Sequence, residues 1–196
     1  MRIPNIQADQ LDPNELGIIN SAMVLMIRTG FKQVTMQHII QSSDVSKTLM
    51  YRYFASKDDV ICRILLANEM DLSERFDSWL VTEQVADVFD RYVQFLIKCP
   101  QKYRLLQQLE THVDSLEDNA LANQWQRLKD RNIARFDIQL QAHNWVTNLP
   151  SNECKTMQIL LKELALNYNV DAIANESLSF NTVKQRLLNL FNVPIR

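Results

Sequence analysis

The stretch from Ile18 to Lys57 constrains this chain more than any other part of it. It reads IINSAMVLMIRTGFKQVTMQHIIQSSDVSKTLMYRYFASK, three short helical segments in succession with tight connections between them. A small polar and aromatic surface appears on the third. A helix-turn-helix is written this way, and the pattern makes double-stranded DNA the leading candidate partner.

Asp12-Pro13-Asn14-Glu15 opens the first helix. Asp12 can cap free amides, Pro13 suits the first helical position, and Glu15 stands at the capping-box site. Leu16, Ile19, Ala22, Met23 and Met26 recur at steps of three and four and define one apolar face. Gly30 stops the helix, because only Gly enters the left-handed cap conformation cheaply. Phe31 and Val34 follow as apolar plugs. Thr35 can cap the second helix, which contributes Met36, Ile39 and Ile40. Ser42-Ser43-Asp44 makes the turn, with Val45 as its apolar pin.

Ser46 can cap the third helix, predicted over about residues 46–53. Met50 and Phe54 lie four apart and should face inward. Lys47 and Tyr51 form one outward column, and Thr48 and Arg52 form the next. One short helix therefore presents Lys47, Thr48, Tyr51 and Arg52 together. A major groove admits one α-helix, whose N-terminal residues meet base edges. Ser56 can cap the next helix, where Lys57 and the exposed amides can hold one phosphate.

Composition narrows the alternatives. Hydrophobic residues make up 46 % of 196, enough for a proper core. Only 2 Gly are present, so phosphate-cradling loops and Gly-dependent nucleotide folds are nearly closed. The formal net charge of −2 hides an asymmetry. Residues 1–57 carry six basic and four acidic side chains, net +2, which leaves fifteen against nineteen, net −4, for the remainder. Any attraction to phosphate belongs to the front. The 3 Cys (Cys62, Cys99, Cys154) are far apart and fit no ligand spacing, as expected of thiols in a reducing cytoplasm. No stretch approaches about 18 uninterrupted apolar residues, and no leader pattern is visible. The 3 His (His38, His112, His143) fall on different predicted helices with no motif around them. No enzyme, metal site or cofactor is expected.

The front stretch resembles the N-terminal domain of TetR-family transcriptional regulators. The residues that carry the likeness are Ile19, Ala22, Leu25, Gly30, Phe31, Thr35, Met36, Ile39, Val45, Ser46, Lys47, Tyr51, Tyr53, Phe54, Ser56 and Lys57, about a quarter of the chain by motif. Asp44 departs from the family's usual turn Gly, Ile40 from its common Ala, Thr48 from a small residue, and Leu49 from a Thr that typically meets a phosphate. The resemblance implies that Tyr51, Tyr53 and Lys57 contact the DNA backbone or thymine methyls, and that Lys47 and Thr48 approach bases. Ser46 and Arg52 flank them on the same helix. The residues also allow Tyr53 simply to pack on the first helix.

Beyond residue 57 the pattern stays helical, giving an all-α chain with a helix-turn-helix domain over 1–57 and a larger helical body over 58–196. Helices are predicted near 57–80, 83–98, 100–112, 120–146, 153–174 and 180–191. Phe89, Tyr92, Tyr103, Leu106, Leu109, His112, Trp125, Leu128, Phe136 and Tyr168 are candidate lining for an effector pocket, although side chains at helical spacing are more often plain core. Met157, Leu160, Leu161, Leu164 and Tyr168 form one apolar stripe, and Val183, Leu187, Leu190 and Phe191 another. The resemblance implies that these two helices pack against their twins in a homodimer, and ridges of Leu suit such packing.

The expectation is a cytoplasmic, dimeric repressor that reads a pseudo-palindrome and is released by a small apolar or aromatic effector. That effector would have to bind the DNA-incompetent state better than the competent one. Two alternatives stay open: a DNA-binding scaffold of the same type controlled by a protein partner, and a helical interaction adaptor that no longer binds DNA.

Overall fold

The computed structural model describes residues 6, 8, 10–82, 91, 99–116 and 119–142. They form α1 (Pro13–Thr29), α2 (Met36–Ser43), α3 (Lys47–Tyr53), α4 (Lys57–Thr82), α5 (Pro100–Val113) and α6 (Ala120–Ala142). The all-α class read from the sequence holds, and no described helix is long and apolar enough to cross a membrane. The predicted helices near 83–98, 153–174 and 180–191 lie outside the described residues. So do the proposed dimer residues Met157, Leu160, Leu161, Leu164, Tyr168, Val183, Leu187, Leu190 and Phe191.

Asp12 caps α1 through Oδ1, which accepts from the amides of Asn14 at 2.9 Å and Glu15 at 3.4 Å. The expected capping box does not form. Glu15 turns instead toward α4, where its Oε1 meets Arg63 Nε at 2.7 Å. Ile18, Ile19, Ala22, Met23 and Met26 are buried, while Leu16 is only half-buried, so the apolar face is rotated slightly toward Ile18. The helix ends at Gly30, whose amide donates to the Met26 carbonyl at 2.9 Å. Its φ of 84 ° is positive as expected, but its ψ of 130 ° lies outside the left-handed helical region.

Thr35 caps α2 by accepting from the His38 amide at 3.3 Å, and His38 Nδ1 accepts from the Thr35 amide at 3.4 Å. This reciprocal box uses a His where Glu or Gln is usual. Asp44 then turns the chain at φ 53 °, ψ 36 °, in the left-handed region that Asp tolerates at some cost. Ile39 on α2, Met50 on α3 and Phe54 behind it are at most 1 % exposed. Full burial of such side chains contributes about 1.5–3 kcal/mol each, which is what holds helices this short.

The N-terminal arm adds a device the sequence did not advertise. Asn20 on α1 brackets Ile6, accepting from its amide at 2.8 Å and donating to its carbonyl at 3.2 Å. Ile6 and Ala8 are each 1 % exposed as a result.

Two compact units emerge. One comprises Met1–Trp79 with Gln101–Asn132, the other Leu80–Pro100 with Ile133–Arg196. The front helices thus share a unit with most of α4 and α5, past the boundary expected at residue 57. Within this unit Val60, Ile61, Ile64, Leu65, Leu106, Leu109 and Trp125 are core. Lys129 Nζ reaches Glu110 at 3.0 Å, and Asn132 Nδ2 donates to the Glu69 carbonyl at 3.1 Å.

Candidate nucleic-acid interface

The third helix is positioned from both ends. Ser46 Oγ accepts from the Leu49 amide at 3.1 Å at its start. At its end the Phe54 amide closes on the Met50 carbonyl at 3.0 Å. Met50 and Phe54 fix one side in the core, and this orientation leaves Ser46, Lys47, Thr48, Tyr51 and Arg52 exposed on the other. Tyr51 is 47 % exposed, an uncommon state for a large aromatic ring. Lys47 Nζ lies 6.0 Å from the centre of that ring. The two outward columns read from the spacing are therefore present.

Tyr53 has a different setting. Its ring is half-buried, and its hydroxyl donates to Asp12 Oδ1 at 2.8 Å. Arg52 Nη2 in turn donates to the Tyr53 hydroxyl oxygen at 3.3 Å, with its guanidinium 5.2 Å from the ring centre. Asp12 is held below the ordinary carboxylate range, first by the Tyr53 hydroxyl and then by the Asn14 amide, so it is ionised at neutral pH.

At the start of α4, Ser56 Oγ accepts from the Asp59 amide at 3.1 Å. Asp59 Oδ2 accepts from the amides of Ala55 at 2.9 Å and Ser56 at 3.1 Å. The chain's own carboxylate thus takes the two amides just before α4, and Ser56 takes one amide of the helix's first turn. Lys57 Nζ, half-buried, donates to the Phe31 carbonyl at 3.3 Å. The lysine ties α4 to the α1–α2 connection.

The candidate effector residues divide. Tyr103, Leu106, Leu109 and Trp125 are buried, and Leu128 is half-buried. Phe136 lies on α6, but its side chain falls outside the described residues, as do Phe89, Tyr92 and Tyr168. His112 stands apart. Its Nε2 lies 2.9 Å from Asp58 Oδ1, and its ring sits 5.6 Å from that of Phe31. With Gly30, Phe31, Lys32, Gln33, Gln108 and Thr111 it lines an open cleft of about 600 Å³. Nothing in the sequence marked this cleft, since its two walls are some eighty residues apart. Among the described residues no cluster of three or more His, Cys, Asp or Glu could hold a metal ion. Cys62 is buried, and burial, with help from Asp59 and Asp58, pushes its thiol up to about 11.

Comparisons with known proteins agree with this geometry. Residues 18–64 match the family described as bacterial regulatory proteins, tetR family. A search of curated proteins gave no match. Among solved structures, the chain is similar to the fatty acid degradation regulator FadR from Bacillus halodurans, with a TM-score of 0.71 at 14 % identity over 93 % of this chain and 96 % of that one. It is similar to the reduced form of E. coli NemR, with a TM-score of 0.67 at 16 % identity over 93 % and 97 %. It is also similar to a TetR-family transcriptional regulator from Bordetella parapertussis, with a TM-score of 0.62 at 17 % identity over 95 % and 100 %. Residues 18–64 therefore match the tetR-family model, and the chain shares the fold of these structures over most of its length.

Proposed function

We propose that this chain is a transcriptional repressor that binds a pseudo-palindromic operator as a homodimer and leaves it when a small molecule enters the helical body. The observation that carries this reading is the face of α3. Lys47, Thr48, Tyr51 and Arg52 point outward together from a helix whose other side is locked by Met50 and Phe54. A rigid seven-residue helix of this kind fits one major groove. Ser46, Lys47, Thr48, Tyr51 and Arg52 meet the groove and its walls, and Tyr53 and Lys57 reach backbone phosphates at its edge. Twofold symmetry would place the second copy about one helical turn or a multiple away.

The stripes at Met157–Tyr168 and Val183–Phe191 make the dimer in this reading. The effector is an apolar or aromatic compound with a hydrogen-bonding group. Trp125 Nε1 and Asn68 Oδ1 are buried polar atoms with no partner among the described residues, and a ligand could satisfy them. A buried unsatisfied group of this kind costs about 1–3 kcal/mol.

Selection of DNA fragments by the purified protein, followed by binding measurements on the winning sequence, tests the proposal. Tyr51→Ala should weaken operator binding while helical content is unchanged. Lys57→Ala should lower the slope of log affinity against log salt by about one unit. Absence of any duplex binding at low salt, where phosphate attraction is strongest, rejects the repressor reading and favours a protein-binding adaptor.

A further inference from the structure

We propose that Asp12 is an internal stand-in for a DNA phosphate: it holds the hydroxyl proton of Tyr53 that a phosphate oxygen would take, and so restrains operator affinity. The inference rests on the DNA-binding reading above and adds a residue to it.

A tyrosine hydroxyl has one proton to donate. In this structure it goes to Asp12 Oδ1 at 2.8 Å, across 41 residues of sequence. The acceptor is fixed in place, because the same oxygen caps α1 through the amides of Asn14 and Glu15. Arg52 completes the set by donating to the Tyr53 oxygen at 3.3 Å. Arg52, Tyr53 and Asp12 thus form a self-contained chain of donor and acceptor, closed by a carboxylate where an incoming duplex would supply a phosphate. Both bonds are exposed, so they can be exchanged for others in water at small net cost.

A duplex gains the Tyr53 proton only by displacing Asp12. Its phosphate must also approach a carboxylate that is ionised at neutral pH and cannot move away without uncapping α1. Both effects act in one direction. The bond in the free protein competes with binding, and the charge repels the phosphate that would replace it.

The decisive variant is Asp12→Asn, which keeps a good helix cap and a hydroxyl acceptor but removes the charge. In the full chain, operator binding should tighten on the order of fivefold, the size expected for one like-charge contact near a wet surface. In a Tyr53→Phe background the same Asp12→Asn change should lose most of its effect, because without the hydroxyl no phosphate is drawn up against position 12. Thermal unfolding of each variant checks that α1 is intact, and Asp12→Ser offers a second capped, uncharged replacement.

Unchanged or weaker binding by both Asp12 variants would overturn the proposal and make Asp12 a positioning residue for Tyr53. An equal gain in the Tyr53→Phe background would also overturn it, since a bare charge effect needs no hydroxyl. A wild-type chain that binds no duplex at low salt removes the DNA reading itself, a result distinct from either.

Discussion

On the outward side of α3, Lys47 and Arg52 rest against the rings of Tyr51 and Tyr53, and no ion pair among the described residues includes either of them. Elsewhere in the same compact unit several basic groups meet carboxylates. Arg63 pairs with Glu15, Lys129 with Glu110 and Arg75 with Asp71, and a ring nitrogen of His112 lies within hydrogen-bond distance of Asp58. The same kinds of side chain serve opposite ends. Inside the unit, charge is neutralised by the chain and helps fix how α1, α4, α5 and α6 meet. On α3, Lys47 and Arg52 lie beside aromatic rings, and Arg52 reaches a carboxylate only through the Tyr53 hydroxyl.

The sharpest way to break this contrast is through its buried support. Met50→Ala should cost about 2–5 kcal/mol of stability in urea unfolding, because α3 would lose the side chain that seats it. A cost below roughly 1 kcal/mol would mean that the outward face is not held rigid from beneath.

Glu15→Gln comes next. It leaves Arg63 Nε beside a neutral partner in a site where the two side chains are 10 % and 24 % exposed. A loss of about 1–3 kcal/mol is expected. A negligible loss would place this pair with ordinary surface pairs and remove it from the inner group.

Lys47→Ala should show the opposite profile. Stability stays within about 0.5 kcal/mol of wild type. The salt slope of operator binding falls by about one unit. Equal stability with an unchanged slope would mean that Lys47 meets no phosphate.

The smallest effect concerns Cys62. Its thiol is raised to about 11, so it stays protonated and folded chain should resist alkylation at neutral pH. The sign of the pH effect follows. The contribution is fully present below the ordinary thiol value of about 8.5, and it fades as pH rises toward the folded value. Stability of Cys62→Ser should therefore lack this alkaline decline, which a urea titration series from neutral to alkaline pH would read.

Much of the front was legible in the sequence because its signals are local. A cap needs its hydroxyl or carboxylate two or three residues from the amide it serves, so Asp12, Thr35, Ser46 and Ser56 are legible by spacing. Met50 and Phe54 were legible for the same reason, since helical periodicity fixes which side they share. The misreadings came where a side chain had a distant choice. Glu15 satisfies the spacing for a capping box, yet a cation on α4 outcompetes a backbone amide for its carboxylate. His112 sits among apolar residues on α5, but its ring meets Phe31 and Asp58. The bond from Tyr53 to Asp12, the cap of α1, spans 41 residues and has no local signal.

Local signals along the chain fix the front helices, their caps and stops, and the face that α3 turns outward. Each of these depends on interactions spanning a few residues, whose geometry is fixed by the 3.6-residue turn and by backbone sterics. Which charges meet a partner within the chain and which stay on its surface was settled by packing alone. Pairing of charges depends on distances between segments that lie tens of residues apart, and no spacing rule along the chain contains those distances.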